Sequence, residues 1–204
     1  MRLELTGLVL LTLIGSWLSP TASAQTDGTC QALQFDGVDD RVMVPFSASF
    51  PNEVFTVTAW INTSATETGT IIGWGPATPD GGRFGFRVDG NRIRGEFSGG
   101  NVQGTTVVND GGWHHVAVTV KENATISYPE VILWVDGRDD TRPTVDNTIV
   151  NILADPDRDV RIGSRPSSED RWFGGLIDEV TLYDRALTAE EIAGAAGRVA
   201  PFDQ

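Results

Sequence analysis

Carboxylates are the commonest side chains of this 204-residue chain that could do chemistry, with 18 Asp and 10 Glu. Their spacing decides what they could do. Asp155, Asp157 and Asp159 stand at the D-x-D-x-D spacing that opens an EF-hand calcium loop. The sixth position is Val160, where the sharp turn needs Gly, and the twelfth is Pro166, where a bidentate Glu belongs. The run is therefore read as a solvated acidic loop. Asp178 and Glu179 are adjacent. Neighbours on a strand point to opposite faces, so they cannot form the carboxylate pair, about 5–9 Å apart, of a glycoside hydrolase. The same alternation keeps His114 and His115 from chelating one metal together. No Gly-x-Ser-x-Gly, HExxH or phosphate-loop pattern occurs. Cys30 is the single cysteine and has no motif around it, so no Cys–His nucleophile is expected. No catalytic residue is assigned.

Binding side chains are better represented. Trp60 and Trp134 alternate away from Val57 and Val135, which sets each opposite its local core face. His115 shares a face with Trp113, opposite Val116, Val118 and Val120. Arg83, Arg87, Arg92 and Arg94 cluster on one expected hairpin, with Arg92 and Arg94 on a common face. The candidate ligand face is Trp134, Trp60, His115, Arg92 and Arg94. Indole rings could stack on sugars, and the arginines could receive a carboxylated sugar or an acidic loop. The competing readings are core packing for the tryptophans and a solvated face for the arginines.

Composition narrows the partners. Lys plus Arg is 15 against 28 acids, a net charge of −13. Such a surface repels phosphate backbones and anionic lipid, so nucleic acid and membrane surfaces are not expected partners. One cysteine forbids an internal disulfide and any CxxC metal knuckle. At 40% hydrophobic and 21% charged, the chain has a globular composition.

Residues 1–24 read as an export signal. Arg2 starts a weakly basic n-region, and Leu5 to Leu18 is uncharged but shorter than the roughly 20 residues a span requires. Ala22-Ser23-Ala24 supplies small residues at a cleavage site before Gln25. The mature chain is expected to be secreted, extracellular or periplasmic, and to hold no membrane span. It divides into a short lead at 25–30, one domain at 31–199 and a tail at 200–204.

The rest of the pattern is period two. Strands are expected at Leu33–Phe35, Arg41–Val44, Phe55–Ile61, Thr70–Trp74, Arg83–Val88 and Arg92–Phe97. Five more are expected at Thr105–Val108, Trp113–Lys121, Val131–Val135, Val160–Ile162 and Leu176–Tyr183. Asp-Gly breaks punctuate them, and Asp89-Gly90 signals a hairpin. Strands with no helices between them predict an all-β sandwich. Thr188-Ala189-Glu190-Glu191 fits a capping box for one short C-terminal helix, with Leu187 and Ile192 stapling it to the sandwich.

Six blocks in order resemble a known family. They are Ala32 to Asp40, Phe55 to Ile61, Gly112 to Val118, Leu133 to Gly137, Val160 to Gly163 and Phe173 to Thr188. Together they resemble the LamG-like jelly-roll domains of the concanavalin A-like lectin/glucanase superfamily, over residues 31 to 197. The resemblance implies a two-sheet antiparallel jelly roll, an extracellular setting and often a bound calcium ion. By that resemblance Asp178 is carried over as a calcium ligand, with Asp36 as partner and Asp39 as an outer candidate. The competing reading makes Asp36 and Asp39 turn formers that cap their own backbone. The Glu-x-Asp-x-Glu strand of the glucanase relatives does not occur. The expected function is a secreted, non-catalytic binding module for carbohydrate with a structural calcium. The alternatives are an extracellular protein–protein adhesion domain, or a polysaccharide hydrolase or lyase with an unfamiliar active site.

Overall fold

The computed structural model describes residues 2–5, 32–45, 54–75, 82–97, 100–121, 130–142, 159–166 and 168–197. In chain order the strands begin β1 (Arg2–Leu5), β2 (Leu33–Asp36), β3 (Val42–Val44), β4 (Phe55–Asn62), β5 (Gly69–Trp74) and β6 (Phe84–Asp89). They continue β7 (Arg92–Phe97), β8 (Gly100–Gln103), β9 (Trp113–Val120), β10 (Val131–Val135), β11 (Arg138–Asp139), β12 (Val160–Ile162) and β13 (Gly174–Tyr183). One helix, α1 (Ala189–Ala196), follows.

The strands form two antiparallel sheets packed as a jelly-roll sandwich. Sheet A runs β1-β13-β4-β9-β10-β11, with β2 also on β13. Sheet B runs β3-β12-β5-β6-β7-β8. Strands β1 and β2 share one edge of β13: β2 lies against Gly174–Ile177 and β1 against Val180–Tyr183. Strand β1 falls within the expected export signal. The rest of that signal, Cys30, and Asp155 and Asp157 of the acidic run lie outside the described residues.

Alternation builds the core. Phe55, Val57, Ala59 and Ile61 of β4 face inward with Val116, Val118 and Val120 of β9. Sheet B answers with Phe84, Phe86 and Val88 of β6 and Ile93 and Phe97 of β7. Phe84 sits at the centre, its ring 5.0 Å from that of Phe55 and 4.4 Å from that of Trp74. Burying each such ring contributes roughly 1.5–3 kcal/mol.

The other face of sheet A is covered locally by the C-terminal segment. Leu187 and Ile192 pack on Ala117 and Trp134. The capping box forms as its spacing predicts. Thr188 Oγ1 accepts the Glu191 N–H at 3.2 Å, and the Glu191 carboxylate accepts the Thr188 N–H at 2.9 Å.

Two local expectations are corrected. Thr105–Val108 is not a strand; β8, five residues earlier, pairs with β7. Asp140 draws Thr105 and Thr106 out of the ladder, accepting a backbone N–H and a hydroxyl from each at 2.7 to 3.0 Å. In the β6–β7 hairpin, Gly90 (φ 57°) and Asn91 (φ 69°) are the left-handed pair. The turn therefore sits one residue later than Asp89-Gly90, and Asp89 ends β6.

Candidate functional site

Among the described residues, most ion pairs lie on the outer face of sheet B. Inward Phe84, Phe86 and Val88 leave Arg83, Gly85, Arg87 and Asp89 facing out along β6. Inward Ile93 and Phe97 do the same for Arg92, Arg94 and Glu96 on β7. The register sets Arg87 opposite Arg94, and Gly85 opposite Glu96.

Two carboxylates hold this array. Glu96 pairs with Arg87, with Arg83 at 2.9 Å and with Arg171 at 3.4 Å. Asp89 takes Arg87 Nη2 at 3.0 Å, Arg94 Nη1 at 2.9 Å and the Thr68 hydroxyl at 3.2 Å. Burial pushes Glu96 and Asp89 up, but Arg87, the principal partner of each, pulls both net below the ordinary carboxylate range. Burial pushes the Arg83 and Arg87 guanidiniums down despite Glu96. Arg87 is only 4% exposed, so its charge depends on these partners.

The loop between β12 and β13 leans over the same face. Its backbone is tied to β5 by Thr70 N–H to Arg171 O at 2.8 Å and Gly163 N–H to Ile71 O at 3.1 Å. Arg171, at φ 56°, reaches Glu96. Arg165 pairs with Asp170 at 3.3 Å. Across the middle of the sheet, Arg161, Gly73, Gly85 and Glu96 form one row. A Cβ on Gly73 would lie 3.2 Å from Pro166 Cδ, whereas a Cβ on Gly85 would meet no atom within 4 Å. Gly85 thus leaves a bare strip of sheet, a shallow trough flanked by Arg83 and Arg87 along β6 and by Glu96 on β7, with Pro166 over neighbouring Gly73.

The residues singled out from the sequence fall in different places. Arg94 belongs to the trough. Arg92 is spent on backbone, donating to Thr105 O at 3.0 Å and Gly90 O at 3.2 Å. Trp134 and Trp60 are each 6% exposed and His115 2%, so they offer no open stacking platform. Trp134 lies under α1 and donates its indole N–H to Thr119 Oγ1 at 3.0 Å. Trp60 and His115 contact edge to face, ring centroids 5.4 Å apart. Asp178, Trp60 and His115 are cross-strand neighbours in one row of sheet A.

Asp36 and Asp178 do not meet. Asp36 is opposite Gly174, whereas Asp178 is four residues further along β13, roughly 13 Å at about 3.3 Å per residue. Asp178 instead accepts the Glu179 N–H at 2.7 Å, and burial pushes its carboxyl up. Asp36 gathers with Asp39 and Asp40, their nearest carboxylate oxygens within 4.8 Å of one another. The Val38 N–H holds Asp36 below the usual carboxylate range, aided by the Asp39 and Asp40 N–H groups.

The sequence pattern on β7 already aligned Arg92 and Arg94, without singling out Glu96 beside them. It did not reveal Arg165, Arg171 or Pro166, which reach the trough from a loop more than sixty residues later in the chain.

A family model of the concanavalin A-like lectin/glucanases superfamily, of laminin G type, matches residues 36–193. The chain belongs to that superfamily. Solved structures share the fold. Laminin α1 domains LG4-5 of mouse are 18% identical, with a TM-score of 0.58, covering 89% of this chain and 48% of that one. A protein of Bacteroides ovatus described as a candidate carbohydrate binding protein is 20% identical, with a TM-score of 0.60, covering 81% and 46%. Trypanosoma rangeli sialidase, in complex with an inhibitor, is 19% identical, with a TM-score of 0.57, covering 81% and 27%. This superfamily member thus spans less than half the length of each. A comparison with curated protein sequences found no match. Among the described residues, no helix is long and apolar enough to cross a membrane.

Proposed function

We propose that this superfamily member is an exported, non-catalytic module that binds carbohydrate on the outer face of sheet B. One observation carries the reading: the trough over Gly85, where polar side chains converge around sheet that no side chain covers. Sugars are bound by such convergent polar groups on a preformed surface. The likeness to the Bacteroides ovatus protein supports the same class of ligand.

The non-catalytic part rests on the trough's own carboxylates. Ion pairs with arginines occupy both Glu96 and Asp89, and the Glu-x-Asp-x-Glu strand of the glucanase relatives does not occur in the sequence.

Calcium fits the turn at Asp36, Asp39 and Asp40. Three carboxylate oxygens within 4.8 Å of one another match the span of a hard cation's shell. The ion would cross-link this turn at the end of β2, with Asp178 outside its reach.

A glycan array run with calcium and with EGTA tests the reading. Glycan hits are expected, and Tm is expected to fall in EGTA. An array without hits, alongside capture of protein partners, favours adhesion instead. Release of reducing sugar from a bound polysaccharide would make the protein an enzyme.

A further inference from the structure

Among the described residues, the sheet-B trough gathers more arginines than carboxylates. Arg83, Arg87, Arg94, Arg165 and Arg171 stand around it, answered by the carboxylates of Asp89, Glu96 and Asp170. This surplus occurs in a chain of net charge −13. Two guanidiniums are also incompletely used: the Nε groups of Arg94 and Arg165 are buried without a hydrogen-bond partner. An anion over the trough would meet the outer nitrogens of these guanidiniums, whose side chains are 26% and 19% exposed.

We propose that the trough recognises the carboxylate of an acidic sugar residue, as in a polyuronate chain; this rests on the carbohydrate reading above. Guanidinium suits a planar carboxylate because its donors form a fork of matching geometry. Guanidiniums of the site already hold two carboxylates, Glu96 and Asp89, each by ion pairs from more than one arginine. The floor favours a sugar ring over an acidic peptide. Gly85 leaves flat backbone with no side chain above it, and Pro166 adds an apolar wall beside Gly73. A ring can lay its C–H face on that surface while its carboxylate turns to Arg165, Arg171 and Arg94. Glu96 and Asp89 then act as positioning groups that keep the guanidiniums extended.

Affinity electrophoresis and calorimetry on the whole chain test this, with oligogalacturonate, its methyl ester and a neutral oligosaccharide as probes. The acid form is expected to bind at least about tenfold tighter than the ester, the worth of one charge-assisted contact. Gly85→Leu should abolish binding at unchanged Tm, because nothing lies within 4 Å of the added side chain's root. Arg165→Ala should weaken the acid form about tenfold and leave any neutral binding alone. Equal binding of acid and ester, or unaltered binding by Gly85→Leu, overturns the proposal while leaving a carbohydrate module intact. Polyglutamate competing as well as oligogalacturonate overturns it in favour of an acidic peptide. Binding of no saccharide of any charge overturns both readings.

Discussion

The hydroxyl of Thr56 accepts the Leu187 N–H at 3.0 Å and donates to the Arg185 carbonyl at 3.0 Å. A single side chain on β4 thereby fastens the segment that leads into α1. Thr56→Val keeps the volume but leaves the buried Leu187 N–H without an acceptor. The expected loss is about 1–3 kcal/mol of stability, read by urea unfolding. Slower amide exchange at Leu187 in the variant than in the parent would contradict it.

Asp140 should be as important to sheet B. It accepts four hydrogen bonds from Thr105 and Thr106 while only 6% exposed. Asp140→Ala strands those donors and is expected to cost about 1.5–3 kcal/mol. Because Gly104 packs directly on Asp140, the variant should also broaden the amide signals of β8. Denaturant titration and a backbone NMR spectrum measure both effects.

His114 links two turns. Its Nδ1 lies 2.9 Å from Asp136 and its Nε2 3.2 Å from Asp110. The hydrogen bond to Asp136, together with that to Asp110, raises its pKa above the ordinary 6.5. A raised folded value means the imidazolium stabilises the fold fully below the unfolded value, and the effect is lost as pH rises through the folded value. Thermal melts from about pH 5 to pH 9 should show Tm falling across that window. His114→Gln should flatten this part of the profile; an unchanged slope would exclude His114 as its source.

The helix start responds in the opposite direction. Arg185, with the Thr188 N–H, lowers Glu191 from 4.5 to about 2. A lowered folded value stabilises above the unfolded value and is lost as pH falls through the folded one. The cap should therefore loosen as pH falls from about 4.5 towards 2, followed by the Glu191 side-chain NMR shift. Thr188→Ala removes the other half of the box and is expected to cost about 0.5–2 kcal/mol.

Features fixed by neighbouring residues were readable from sequence. The capping box needs only Thr188 and Glu191 three residues apart, and the strand pattern needs only alternation. Long-range packing was not readable. Trp134 alternates as an outward residue and is one, yet α1 comes back to cover it. Asp36 and Asp178 sit on adjacent strands as the resemblance implies. Their separation depends on a register that no local pattern encodes. The trough was half legible. Alternation put Arg92 and Arg94 on one face, but Arg171 joins Glu96 on that face through a left-handed backbone turn that its own residue type does not announce.

The helix lies on the outer face of sheet A and the arginine trough on the outer face of sheet B, so the sandwich separates them by its full thickness. The molecule therefore has a natural handle. Glu190 on α1 is exposed, and a fluorophore or surface tether attached there would leave the trough pointing away from the support. A sensor built on that residue would present every copy in the same orientation.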